Sequence, residues 1–263
     1  MNLLFEPLCA GKILNAIDPL YRLQLAKLDV LEKVGSTNQY LLDQVKTAPS
    51  GWVCLAEAQT AGRGRQGRTW FSAPGSSVVC SLLWRFSNEL SDVSGLSIAV
   101  GVMLVQALKK FGVSTGLQLK WPNDVLYDDR KLAGILLERR GHNIVIGLGL
   151  NVRLSDSLVS GGIDLEEIMG QSILDRNYLT GLILNELFKG LPIYQTKGLA
   201  AFMDEWRLHD FLANKDVTVH TPETVIAGTA KSINEKGELL VLDKTQTLHR
   251  FRYRDVSVRR YLA

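Results

Sequence analysis

The chemistry begins with the stretch Gln59-Thr60-Ala61-Gly62-Arg63-Gly64-Arg65-Gln66-Gly67-Arg68-Thr69-Trp70, which puts three arginines within six residues, spaced by glycines. Glycine lets the backbone fold closely around a ligand and expose its N–H groups, and arginine forks match phosphate oxygens bidentately. The combination suits a pyrophosphate or a nucleotide. No Gly-Lys-Ser/Thr follows, so it is not a P-loop, and it is not a GxGxxG turn opening a helix. A solvated basic loop is the bland alternative that the motif leaves open. Contact with RNA through an Arg-Gly segment is a third, weakened by the single copy and the sparse flanking charge.

Four further groups stand elsewhere in the sequence. Lys120-Trp121-Pro122-Asn123-Asp124 ends a short apolar run, and the proline should turn the chain there, leaving Lys120, Asn123 and Asp124 grouped at a strand edge. Such a group could receive a ligand or a metal ion; equally, it could be a turn whose side chains bond their own backbone. Lys131 precedes the apolar run 132–137, with its stem placed to pack and its ammonium placed to meet an anion or solvent. Gly134, and Gly147 and Gly149 in Ile146-Gly147-Leu148-Gly149-Leu150-Asn151, give up side-chain packing inside strand-like runs, which points to a close approach or a bulge. Ser36-Thr37-Asn38 fits a helix N-terminus, where free N–H groups and small polar side chains can also hold a polar ligand.

The four histidines, His142, His209, His220 and His249, are scattered, and Cys80 lies within an apolar run, so a nucleophilic triad has no support. Cys9, Cys54 and Cys80 are far apart with no CxxC, which suggests neither a disulfide framework nor a zinc site and favours a reducing, cytoplasmic setting. Lys plus Arg exceeds Asp plus Glu by 30 − 27 = 3 in 263 residues, too little by itself to mark a nucleic-acid protein. With 46% hydrophobic and 22% charged residues the composition is that of a globular chain. No apolar stretch approaches the ~20 residues of a membrane span, and the first residues lack the pattern of a secretory signal.

The elements that must position these groups follow from periodicity. Strands are expected at 28–34, 52–58, 78–86, 117–120, 125–127, 132–138 and 143–150, with Asp128-Asp129-Arg130 as a hairpin turn. Ser36 and Gln39 form a capping box, so a helix should run from there to about residue 46. Leu96, Val100, Met103, Leu104, Ala107, Leu108 and Phe111 recur at helical spacing, and further helices are expected near 176–189 and 199–208. The stretch 59–75 is a loop of the length that usually carries function. From residue 215 the chain changes to short strands at 217–220, 225–233, 239–242 and 248–253, the signature of a small barrel. The expected organisation is an α+β fold: a mixed sheet with packed helices over 1–212, then a β module over 213–263.

Taken in order, Gly35-Ser36-Thr37-Asn38, Glu57 to Trp70, Lys120 to Asp124, Lys131 to Leu136 and Gly147 to Asn151 resemble the biotin–protein ligases, across about residues 10 to 258. The resemblance implies that biotin and ATP form biotinyl-5′-AMP and pyrophosphate, and that biotin then passes to a lysine of a biotin carboxyl carrier domain of acetyl-CoA carboxylase or another biotin-dependent enzyme. It implies an SH3-like C-terminal module. It assigns biotin contacts to Ser36, Thr37, Asn38, Gln59, Arg63, Gly64, Arg65 and Lys131. Nucleotide contacts fall to Arg65, Arg68, Trp70, Asn123, Lys131 and Asn151, and Mg²⁺ to Asn123 and Asp124. Lys131, Arg63 and Lys120 are the expected catalytic cations. Two anions must meet, so the positive charge would offset their repulsion, and a closing loop would keep water from the mixed anhydride.

Two departures from the family bear on function. About 35 residues precede Ser36, too few for the winged-helix repressor domain of many bacterial relatives, so no DNA partner is expected. The chain reads Arg252-Tyr253-Arg254-Asp255 where relatives tend to have glycine before the acidic residue. Arg250, Arg252 and Arg254 would then share one strand face, to contact nucleotide or carrier or simply to solvate an edge. A lipoate–protein ligase or octanoyl transferase of the same fold is the rival enzyme, and a nucleic-acid-binding regulator the rival of another class. No membrane partner is expected, and the chain is expected to be a monomer or a homodimer.

Overall fold

A computed structural model describes residues 5–87, 94–154, 161–171, 174–253 and 256–260. Seven strands form the larger sheet: β1 (Lys27–Val34), β2 (Trp52–Gln59), β3 (Ser77–Arg85), β4 (Leu117–Lys120), β5 (Asp124–Tyr127), β6 (Arg130–Arg140) and β7 (Asn143–Asn151). Their order is β1-β2-β3-β7-β6-β5-β4, parallel for β1 with β2 and antiparallel elsewhere. The central strands are buried on both faces, which is why their sequences read as nearly continuous apolar runs.

The helices are α1 (Ala10–Ala16), α2 (Pro19–Arg22), α3 (Thr37–Asp43), α4 (Ser94–Phe111), α5 (Leu165–Met169), α6 (Arg176–Lys197) and α7 (Met203–His209). Successive strand residues point to opposite faces. Leu82, Leu137 and Ile146 face the main core shared with α4 and α6, whereas Leu83 and Val145 join Leu41, Leu42, Trp52 and Cys54 in a smaller cluster under α3. Along that second face the apolar residues give way to Ser81, Gly147, Gly149, Gly134 and Glu138. The site lies there.

β8 (Asp216–His220), β9 (Val225–Ile233), β10 (Leu239–Asp243), β11 (Leu248–Phe251) and β12 (Ser257–Arg260) form the SH3-like module, an antiparallel sheet in the order β11-β10-β9-β8-β12. The buried Trp121 donates its indole N–H to Gly237 O at 2.9 Å, and Ser232 Oγ donates to Asp210 Oδ2 at 2.5 Å, tying this module to the larger layer.

Several expectations require correction. α3 ends at Asp43 rather than near 46, because Gln44 N turns back to Leu41 O and Leu42 O. Gln39 completes only half of the capping box: its N–H bonds Ser36 Oγ, but its side chain goes to Asp43. α6 runs to Lys197, continuing through Pro192 because Leu191 and Tyr194 stay buried in the core. α1, α2, α5 and β12 carry no pattern strong enough to have been expected. β11 is an edge strand that ends at Phe251, short of the expected 253; Arg250 on it and Arg252 just beyond it are both exposed, Arg252 pairing with Glu238 Oε1 at 2.9 Å, and Arg254 falls outside the described residues. The Asp128–Asp129 turn forms as expected, with both residues left-handed at φ 45° and 66°, the geometry that matches hairpin twist.

Candidate functional site

One cavity on the α3 face gathers the separate motifs. Ser36, Thr37, Asn38 and Gln59 line one end. Arg63, Gly64, Arg65, Arg68 and Trp70 cover it, and Lys120, Asn123, Asp124 and Lys131 lie along the other side. Residues 256–258, at the start of β12, close the wall from the C-terminal module.

The polar end is built by the N-terminus of α3 against β2 and β3. Thr37 N and Thr37 Oγ1 both donate to Gln59 Oε1, at 2.8 and 3.1 Å. The buried hydroxyl Ser81 Oγ stands 2.7 Å from Thr37 Oγ1 and 2.6 Å from Asn38 Oδ1. Asn38 Nδ2 donates to Glu138 Oε2 at 2.8 Å and to Leu136 O at 3.3 Å. Ser81 and Glu138 escaped the sequence analysis, since Ser81 is one polar residue in an apolar strand and Glu138 begins the charged end Glu138-Arg139-Arg140 of β6. The signal that could have found them is the strand alternation that puts Ser81 and Glu138 on the same face as Gly147.

The arginine–glycine loop is ordered by its own backbone. Gly64 N donates to Arg68 O at 2.6 Å and Trp70 N to Gly62 O at 2.9 Å, with a single 3₁₀ turn at Arg65–Gly67. Arg63 pairs with Glu138 at 2.8 Å. Arg65 donates to Asn123 Oδ1 at 3.0 Å and to Tyr253 O at 2.7 Å, and its guanidinium lies 4.2 Å from the Tyr253 ring centroid. Arg68 bonds Gln66 at 3.3 Å and remains exposed.

The glycines in β7 make room for side chains of the site itself. A Cβ on Gly147 would stand 2.3 Å from Asn38 Oδ1, and one on Gly149 would stand 2.3 Å from the Trp70 indole. Between the two expected explanations, close approach is the operative one. Trp70 thus lies over the strands, with the Lys131 ammonium 5.7 Å from its ring centroid.

Lys131 reaches across to Asp124 Oδ1 at 2.7 Å. Lys120 is half-buried, and desolvation pushes its pKa below the ordinary lysine value despite the opposing pull of Asp124. Asn151 stands apart from its expected role on the nucleotide. It does not line the cavity; its Nδ2 donates to Lys131 O at 3.2 Å and Ile163 O at 3.1 Å, so it fixes the strand that presents Lys131. The two buried thiols are held neutral: burial raises the pKa of Cys80 to about 12 and that of Cys54 further.

Asn123 and Asp124 do not fit a resident Mg²⁺ site. The amide oxygen of Asn123 is engaged by Arg65 and the carboxylate of Asp124 by Lys131. Among the described residues no group of three His, Cys, Asp or Glu is placed to hold a metal. No helix among them is long and apolar enough to cross a membrane.

Comparison with known proteins gives the chain its relatives. Residues 30–151 match the Biotin/lipoate A/B protein ligase family. The chain is 38% identical over 239 residues to the bifunctional ligase/repressor BirA of Escherichia coli, spanning 88% of this chain and 74% of that one. It is 33% identical over 223 residues to the biotin–acetyl-CoA-carboxylase ligase of Mycobacterium tuberculosis, spanning 81% and 82%. The biotin protein ligase of Aquifex aeolicus solved with biotin and ATP superposes with a TM-score of 0.81 at 26% identity, over 90% of this chain and all of that one. With its cationic loop, its lysine pair and its polar α3 end converging in one cavity, the chain belongs to the biotin–protein ligase family.

Proposed function

We propose that this chain activates biotin with ATP to biotinyl-5′-AMP, releasing pyrophosphate, and transfers biotin to a lysine of a biotin carboxyl carrier domain. The observation that carries the proposal is the meeting, around one cavity, of Arg63, Arg65, Arg68, Lys120 and Lys131 with the uncharged polar end formed by Ser36, Thr37, Asn38 and Gln59. The uncharged end suits the ureido ring of biotin, and the cations suit its carboxylate and the phosphates of ATP.

In the first step a biotin carboxylate oxygen forms a bond to the α-phosphorus of ATP, and the bond to pyrophosphate breaks. Lys131 is placed to stabilise the negative charge gathering at that phosphorus, with Lys120 and the loop arginines around it. In the second step the carrier lysine, as a free amine, bonds to the acyl carbon, AMP leaves with the electron pair, and the amine gives up its proton. No side-chain nucleophile is required. Gly64 and Trp70, with the arginines, form the cover that keeps water from the mixed anhydride. Mg²⁺ is proposed as a companion of the nucleotide phosphates, and the roles described here use this chain's own residues alone.

Residues 1–212 serve as the biotin- and ATP-binding unit and 213–263 as the SH3-like unit that completes its wall. The cytoplasm is the expected compartment, and the carrier domain the expected partner. The deciding experiment measures pyrophosphate release with biotin, ATP and Mg²⁺ and no acceptor present. Release with biotin and none with lipoate is expected. Release with lipoate alone would transfer the chain to the rival enzyme class.

A further inference from the structure

Glu138 is a carboxylate at the border of a cavity proposed to hold two anions. Its carboxylate lines the groove beside that cavity, under the arginine–glycine loop, and one oxygen, Oε2, accepts from both Asn38 Nδ2 and Arg63 Nη2 at 2.8 Å. The two donors come from opposite sides of the cavity. Asn38 belongs to the polar end under α3, and Arg63 to the cationic loop that covers it. We propose that Glu138 is a positioning residue that moors the loop through Arg63 and sets the amide of Asn38, so that the biotin end and the loop are held by one carboxylate.

Each half of this role has its own geometric support. An amide side chain can present either its oxygen or its nitrogen inward. Glu138 and Leu136 O accept only, so Asn38 must turn Nδ2 toward them and Oδ1 toward the Ser81 hydroxyl. Both Nδ2 hydrogens are then used, and what Asn38 has left for a ligand is acceptor capacity at Oδ1, an orientation set by Glu138. On the loop side, Arg63 is bridged to Thr69 within the loop itself, and the pair with Glu138 carries that small unit onto β6 of the sheet. Arg65 anchors the same loop at its other edge, to Asn123 and Tyr253. With Glu138 paired, the carboxylate repels the ligand anions less than a bare charge would, and Arg63 is fixed near them at no further ordering cost.

The inference rests on the proposed function only for its catalytic consequence, and the test separates the two. Wild-type chain, Glu138→Gln and Arg63→Gln are first compared by limited trypsin digestion without ligand, since trypsin cuts after arginine. Both variants are expected to be cut within residues 63–68 about fivefold faster, the effect of losing a half-exposed ion pair, with little change in thermal midpoint. With biotin and ATP, Glu138→Gln is expected to raise the KM for biotin and to shorten the lifetime of the bound adenylate by a similar factor, while the KM for ATP holds. Equal digestion rates would overturn the mooring. A longer-lived adenylate in Glu138→Gln would also overturn it, because the carboxylate would then be competing with the ligand for Arg63. If the wild-type chain makes no adenylate, the proposed function fails, and the digestion still decides the mooring.

Discussion

At the scale of single residues, the lysines divide the work by environment. Lys131 is paired with Asp124 and half-exposed, so its remaining N–H donors are open to a phosphate. Lys131→Ala is expected to lower the rate of adenylate formation about a hundredfold or more, as loss of a transition-state charge partner does, with a much smaller change in ATP affinity. Single-turnover kinetics beside equilibrium ATP binding would check this; equal losses would reduce Lys131 to a ground-state anchor. Lys120 is half-buried. Its pKa is depressed by desolvation, so in the free site it loses its proton at lower pH than an ordinary lysine at about 10.4. Anionic ligands bind the protonated form, so nucleotide affinity should fall as pH rises through that depressed value. Lys120→Arg, which stays charged, should flatten the alkaline limb of a titration series; an unchanged limb would remove Lys120 from the ligand's field. These lysines were legible because a cation beside a turn or a strand mouth is visible in the sequence. Ser81 and Glu138 were not, because one hydroxyl in an apolar run, or the first of three charged residues ending a strand, looks like an ordinary position until its neighbours across the sheet are known.

At the scale of elements, the strand runs gave away most of the larger sheet, since both-face burial makes β3 and β7 continuously apolar. The hairpin at Asp128–Asp129 was equally plain. What alternation could not tell was which strand neighbours would meet, and therefore what the glycines of β7 were leaving room for. The register answers it: Gly147 stands opposite Ser81 and Leu136, and Gly149 opposite Gly134 and Val79. Asn38 and Trp70 occupy the space above them. Gly147→Ala and Gly149→Ala are each expected to cost about 1–3 kcal/mol from overpacking. Gly147→Ala should displace Asn38 and raise the KM for biotin, while Gly149→Ala should displace Trp70 and quench or shift its fluorescence. Gly35→Ala is the control, because a Cβ there meets nothing within 4 Å and its backbone is not left-handed. Chemical denaturation with the three variants side by side would test the contrast. Were Gly35→Ala as damaging as the other two, crowding would not be the cause. The short helices α1, α2 and α5 escaped because so few turns give periodicity no length over which to emerge.

At the scale of the whole molecule, the connection among distant segments is made by a buried ion pair that no motif announced. Arg176 opens α6 and Glu57 lies on β2, and the two pair through both carboxylate oxygens at 2.9 and 3.1 Å. Glu57 also accepts from Leu8 N at 2.5 Å and Gly75 N at 3.3 Å, while Arg176 donates to Glu6 O at 2.8 Å and Ser77 O at 3.2 Å. The residues before α1, the foot of the cationic loop and two elements of the core thus share one polar hub, two residues along β2 from Gln59. Glu57→Gln would leave the guanidinium buried without a counter-charge, at an expected cost of about 3–5 kcal/mol. Replacing both partners with leucine usually recovers such a loss, because the desolvation of two charges disappears with them. Here it should not. The pair serves four backbone groups, and each left without a partner carries its own desolvation penalty of about 1–3 kcal/mol. Urea denaturation of Glu57→Gln, Arg176→Leu and the double leucine variant measures this directly. The double variant is expected to remain destabilised, by an amount tied to the backbone groups it abandons. A double variant as stable as the wild type would mean that the hub holds charge alone and not the chain segments around it.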